Sequence, residues 1–133
     1  FAKEEKNILF IILNNNLNLP NLKNLIHFKK VSEKKLLELY TISDFLYRPL
    51  KFSSANNSIL EAISMGVYVI TNDTEGIKDY LTPKNSLITD NIEDIKKFLN
   101  KKISKNNIRD INYDWKIISE KILTIYKKAL KNE

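Results

Sequence analysis

The chain reads as an α/β fold with a mostly parallel sheet between helical layers, and three observations predict it. Short apolar runs rich in β-branched residues alternate with segments whose apolar residues recur at helical spacing. The runs are continuous rather than alternating, as expected for strands covered on both faces. The length of 133 residues fits one such domain with a sizeable core. Strand followed by helix followed by strand implies right-handed crossovers.

The elements follow in order. Residues 7–13 (NILFIIL) form the first strand, and the Pro20-containing polar stretch after it is a loop. Residues 25–28 make a second short strand. Ser32 is placed to cap the helix EKKLLELYTI, in which Leu36, Leu37 and Tyr40 recur at helical spacing. Residues 45–50 (FLYRPL) are a third strand, residues 58–65 a helix stopped by Gly66, and residues 67–72 (VYVITN) a fourth strand. A short helix at 77–81 and a fifth strand at 86–89 come next. Residues 91–101 carry Ile92, Ile95, Phe98 and Leu99 on one face, and the last segment carries Trp115, Ile118, Ile122, Ile125, Tyr126 and Ala129 on another. Both are amphipathic helices. Residues 104–112 resemble a flexible connection before the final one.

Composition removes several function classes. There is no cysteine and one histidine, His27, so thiolate and imidazole metal clusters are excluded and no cofactor is called for. His27, on a short strand, reads as structural. No run approaches the ~20 apolar residues that span a bilayer, and none has the form of a signal peptide. A cytoplasmic protein is expected. The net charge of +6 is spread over nearly every segment, which fits AT-rich codon usage better than a polyanion site. A nucleic-acid-binding module needs a concentrated basic patch with stacking aromatics, whereas the aromatics here sit in strands or on apolar helix faces. The chain opens on Phe1 directly before its first apolar run, and so reads as a piece of a longer protein.

The loop most able to carry chemistry is PLKFSSANNSILEAISMG. In a parallel sheet, ligands bind beyond the carboxyl ends of the strands, where loops enter helices with unpaired N–H groups. This loop sets Ser53, Ser54, Asn56, Asn57 and Ser58 at a helix mouth whose dipole favours a phosphate, with Glu61 one turn inside. Arg48 and Lys51 flank Pro49, where positive charge would stabilise a diphosphate leaving group.

From about Leu25 to Leu130 the chain resembles the C-terminal domain of the retaining glycosyltransferases that include sucrose synthases and many bacterial cell-surface polysaccharide enzymes. Five blocks in order carry the resemblance: ILEAISMG, VYVITND, EGIKDYL, NSLITD and the closing YDWKIISEKILTIY. The resemblance implies a Rossmann-like, doubly wound sheet lacking its first strand-helix unit. Residues 1–133 would then be part of the C-terminal donor-binding domain of a two-domain, GT-B enzyme. It further implies a nucleotide-diphosphate sugar as ligand, an N-terminal acceptor domain as partner, and a location at the inner face of the membrane with peripheral membrane contact. By the same match Glu61 takes the role of the family's second glutamate, which binds the donor ribose hydroxyls; a carboxylate can accept two such bonds. Asp79 matches an acidic family position but also reads as a helical surface acid.

One departure and two alternatives stand beside this reading. The family's first glutamate falls on Ser53, so Ser53, Ser54 and Asn56 would hold sugar or diphosphate with hydroxyl and amide groups, or else donor specificity has shifted or activity has decayed. Ser58-Ile59-Leu60-Glu61 also has the form of a capping box, with Glu61 folding back on the Ser58 N–H. A flavodoxin-like regulatory or protein-interaction domain is the competing function class. It calls for acidic residues clustered at the strand ends, whereas Asp44 and Asp73 stand apart.

Overall fold

A computed structural model of the chain describes residues 2–52, 56–101, 108 and 115–130. The chain divides into two compact units, Phe1–Leu39 and Tyr40–Glu133.

In the first unit, strands β1 (Phe10–Leu13) and β2 (Leu25–Phe28) pair in parallel, from Phe10↔Leu25 to Leu13↔Phe28. Asn24 ties the segment before β1 to the start of β2: its Nδ2 donates to the carbonyls of Ala2, Glu5 and Ile8 at 2.9, 3.0 and 3.1 Å. His27 Nε2 lies 2.8 Å from the Asn14 carbonyl, the structural role expected of it. Strand β1 starts three residues later than the apolar run and is only half-buried, with Leu13 44% exposed. Both strands of a two-stranded sheet are edges, so the double cover inferred from the run does not arise here. Helix α1 (Glu33–Ile42) follows, and its Ser32 cap is present, with Oγ accepting from the Lys35 N–H at 3.2 Å. The inward face is Leu36, Leu39 and Tyr40; Leu37, expected on it, is 54% exposed.

The second unit holds a parallel three-stranded sheet in the order β3 (Phe45–Tyr47), β4 (Tyr68–Thr71), β5 (Ser86–Ile88). Registers run Phe45↔Tyr68 and Val69↔Ser86. The parallel pairing in both sheets agrees with the mostly parallel arrangement expected from the alternation of strand and helix. Central strand β4 is buried at every position, and here the continuous apolar run does mark double cover. Helix α2 (Asn57–Ser64) packs on β4 with Ile59, Ala62 and Ile63 buried. It ends in a Schellman turn: Gly66, at φ 75°, donates to Ile63 O and Val67 donates to Ala62 O, at 3.0 and 2.8 Å.

A 3-10 turn at Ile77–Asp79 precedes β5, and helix α3 (Ile92–Leu99) follows it, capped by Asn91 Oδ1 accepting from the Glu93 N–H at 2.9 Å. Tyr68, Ile70, Ile95 and Ile108 form a buried cluster, with Phe45, Leu87, Phe98 and Leu99 packed against it. Tyr68 stacks on Phe98 at 4.7 Å, and Phe45 meets both rings edge-on. Ile108 corrects one expectation. It lies midway along residues 104–112, which read as a flexible connection, yet it is 1% exposed; the rest of that stretch falls outside the described residues apart from this position. Helix α4 (Trp115–Ala129) buries none of its residues.

Candidate functional site

The site begins where β3 ends. The Arg48 N–H donates to Ile70 O at 2.9 Å and the Arg48 carbonyl accepts from Thr71 Oγ1 at 2.7 Å, so the backbone at Arg48 stays on β4 after strand geometry has ceased. Two residues on, the side chain of Asn72 takes the place of a ladder partner. Its Oδ1 accepts from the Leu50 N–H at 2.7 Å and its Nδ2 donates to the Leu50 carbonyl at 2.8 Å. Pro49 between them has no N–H to offer, and this reciprocal amide pairing fixes the loop on both sides of it. Nothing in the sequence marks Asn72 for that task; it reads there as the end of a strand.

The loop then enters α2. Asn56 is the N-cap in extended conformation (φ −94°, ψ 108°), and its carbonyl accepts from Ile59 and Leu60 at 3.0 and 3.1 Å. Helix geometry leaves the N–H groups of Asn57 and Ser58 without an intrahelical acceptor. The Asn56 side chain makes no cap bond; it receives the Ser58 hydroxyl at 2.6 Å instead. Asn56, Asn57 and Ser58 are thus brought together at the helix mouth, on the carboxyl side of β3. Ser53 and Ser54, the other two expected members, lie outside the described residues.

Glu61 is the fifth residue of α2, not the third, because the N-cap is Asn56 rather than Ser58. The capping-box alternative is thereby lost. Its carboxylate, on an exposed residue, turns toward α1, where Oε2 accepts from the Tyr40 hydroxyl at 3.1 Å. The same hydroxyl lies 3.2 Å from Ser58 O. Burial raises the Tyr40 phenol well above its ordinary value, the negative charge and hydrogen bond of Glu61 raise it further, and the positive charge of Arg48 opposes them. Arg48 therefore lies within electrostatic reach of the Tyr40–Glu61 pair. Tyr40 carries this role unannounced by the sequence, where its spacing shows only an apolar helix face.

Lys51 stands apart from that group. It lines a cleft of about 330 Å³ with Phe52, Asp73, Thr74 and Glu75, and neither Glu61 nor Arg48 is among the lining residues. Asp73 is paired with Lys78 at 2.6 Å on an exposed surface. Asp79 lies on the 3-10 turn. Among the described residues no three His, Asp or Glu side chains gather as metal ligands, and no helix is long and apolar enough to cross a membrane.

This is a parallel α/β sheet whose carboxyl edge presents a helix mouth of small polar residues, a tethered carboxylate and an arginine. Searches of curated proteins and of solved structures return no match. The family model described as glycosyl transferases group 1 does match, over residues 12–116, a span that runs from β1 to the first turn of α4 and takes in every candidate residue above. The chain belongs to the glycosyl transferases group 1 family.

Proposed function

We propose that the chain is the C-terminal, nucleotide-sugar-binding domain of a retaining, two-domain GT-B hexosyltransferase acting in cell-surface polysaccharide or glycolipid synthesis, at the cytoplasmic face of the membrane. The observation that carries the proposal is the exposed Glu61 carboxylate, held by Tyr40 one turn inside a helix mouth at the carboxyl end of β3. An ionised carboxylate has about four lone-pair sites. The Tyr40 bond takes one, and donor ribose hydroxyls take others. Asn56, Asn57 and Ser58 meet the diphosphate with backbone N–H and side-chain groups, joined by Ser53 and Ser54 from the preceding loop. Arg48 balances its charge, while Lys51 reaches it from the cleft side. The acceptor site and any catalytic base belong to an N-terminal domain, so the isolated chain does not turn over.

The test is donor binding with and without the Glu61 charge. In the full-length enzyme Glu61→Gln keeps the size of the side chain and an acceptor for Tyr40. Loss of hydrogen bonds to a charged acceptor, worth about 1.5–3 kcal/mol, lowers donor kcat/KM roughly tenfold to a hundredfold with little change in thermal unfolding. Undiminished donor efficiency in a folded Glu61→Gln enzyme removes Glu61 from the donor site. For the isolated chain, calorimetry with several nucleoside diphosphate sugars should give millimolar or undetectable binding.

A further inference from the structure

Two loops at the carboxyl edge of the second sheet enclose a cleft of about 330 Å³, lined by Lys51 and Phe52 beyond β3 and by Asp73, Thr74 and Glu75 beyond β4. Its size, at the lower end of the range for small-molecule clefts, suits one small ring. Both walls spring from one tie. Leu50, next to Lys51, and Asn72, next to Asp73, are joined by the reciprocal amide pairing at 2.7 and 2.8 Å. The far wall is held at two further points. Asp73 accepts from Lys78 Nζ at 2.6 Å, and the Thr74 carbonyl accepts from the Ile77 N–H at 3.2 Å, across Gly76 in the left-handed conformation (φ 79°). The walls therefore stand in place before any ligand arrives.

The groups in those walls are not consumed by the fold. Thr74 Oγ1 is buried with no hydrogen-bond partner among the described residues, and an orphaned buried hydroxyl carries a standing cost. Lys51 and Glu75 line the same cleft as cation and anion, yet among the described residues neither is in an ion pair. A donor, an acceptor and a hydroxyl that does either, beside the apolar ring of Phe52, suit a polyhydroxylated ring: its hydroxyls match the first three and its C–H faces the fourth.

Position says which ring. In the donor reading above, Lys51 reaches the diphosphate from the cleft side, and the sugar is bonded to that diphosphate. We propose that the cleft receives the donor's sugar, and that Glu75 selects a sugar without an acid group over a uronate. The inference rests on the proposed donor site and extends it to the class of sugar. With Lys51 facing the diphosphate and Asp73 offset by Lys78, Glu75 is the unbalanced charge of the cleft. A sugar hydroxyl donates to it, whereas a sugar carboxylate meets like charge.

Amide chemical-shift mapping on the 133-residue chain tests this, since it resolves millimolar binding. The probes are UDP and GDP, UDP-glucose and GDP-mannose, and UDP-glucuronate and GDP-mannuronate. A bare nucleotide should move the resonances of Asn57, Ser58 and Glu61 and leave those of Thr74, Glu75 and Gly76 in place; its neutral sugar conjugate should move both sets. The matched uronate should bind at least about fivefold more weakly, the effect of one like-charge contact at roughly 4 Å in water. In Glu75→Gln, a change at an exposed position, that ratio should fall toward one. If no nucleotide moves Asn57, Ser58 or Glu61, the donor site and this inference fall together. If those residues respond but Thr74, Glu75 and Gly76 stay still with the sugar attached, the donor site stands and the cleft assignment is overturned. A uronate that binds as tightly as its neutral match overturns it too, as does a neutral-to-uronate ratio that Glu75→Gln leaves unchanged.

Discussion

The Tyr40 hydroxyl, at the end of α1, donates to Glu61 Oε2 on α2 across 3.1 Å, so a carboxylate that would otherwise sweep through solvent is held from a residue only 8% exposed. Tyr40→Phe removes the tether without removing the ring. The variant should lose about 1 kcal/mol of stability. In the full-length enzyme its donor kcat/KM should fall severalfold, less than for Glu61→Gln, because the carboxylate remains but is no longer positioned. Steady-state kinetics on both variants checks the ranking, and a larger loss in Tyr40→Phe contradicts the tether account.

A second prediction concerns the amide of Asn72, which pairs with both the N–H and the carbonyl of Leu50. Asn72→Ala leaves both backbone groups without their partner and should cost about 1–3 kcal/mol. Asn72→Asp keeps the acceptor but cannot donate, so it should fall between alanine and wild type. Denaturant midpoints in the order wild type, Asp, Ala support the clamp, and an alanine variant as stable as wild type rejects it.

The third turns on Gly66, whose φ of 75° is the left-handed region. A side chain there meets the following carbonyl, so Gly66→Ala should destabilise by about 1–2 kcal/mol. Thermal unfolding of Gly66→Ala against Ser64→Ala, an exposed change on the same helix, separates the backbone term from helix propensity.

What was legible in the sequence follows the range of the forces involved. Local signals placed α1 over its observed residues, set the end of α2 at Gly66 and found the strand cores, because spacing, caps and glycine act within a few residues. The parallel pairing of the strands also followed from their alternation with helices. Hidden were contacts between residues distant in the chain: Tyr40 with Glu61 is separated by 21 positions and Asn72 with Leu50 by 22. The N-cap of α2 lies at Asn56, two residues before the Ser58 of the capping-box reading, and that shift decided against the box, which needs cap and glutamate three positions apart. For β1 the apolar run was real, but double cover depends on how many strands flank it, which no local pattern encodes.

The last prediction is a pH dependence carried by Tyr68. Its ring is 5% exposed in the core, and its hydroxyl donates to Ser86 O at 2.6 Å and lies 3.1 Å from Pro83 O. Burial raises its pKa above the ordinary 10.0. In the unfolded chain the phenol ionises near pH 10.0, while in the folded chain it keeps its proton to higher pH. Between those values the folded state binds more protons than the unfolded state, so stability falls as pH rises. The contribution is fully present below pH 10.0 and is lost through the folded pKa. Tyr40 adds to the same slope, with its phenol raised by burial and by Glu61. Lysines titrate in this range too, so the comparison must be internal. Tyr68→Phe should be less stable than wild type at pH 8 by about 1 kcal/mol for the lost hydrogen bond, and the gap should narrow steadily above pH 10.0 as wild type loses what the variant never had. Urea unfolding of both proteins at a series of alkaline pH values measures the gap, and parallel curves would mean that the Tyr68 phenol ionises in the fold as it does in water.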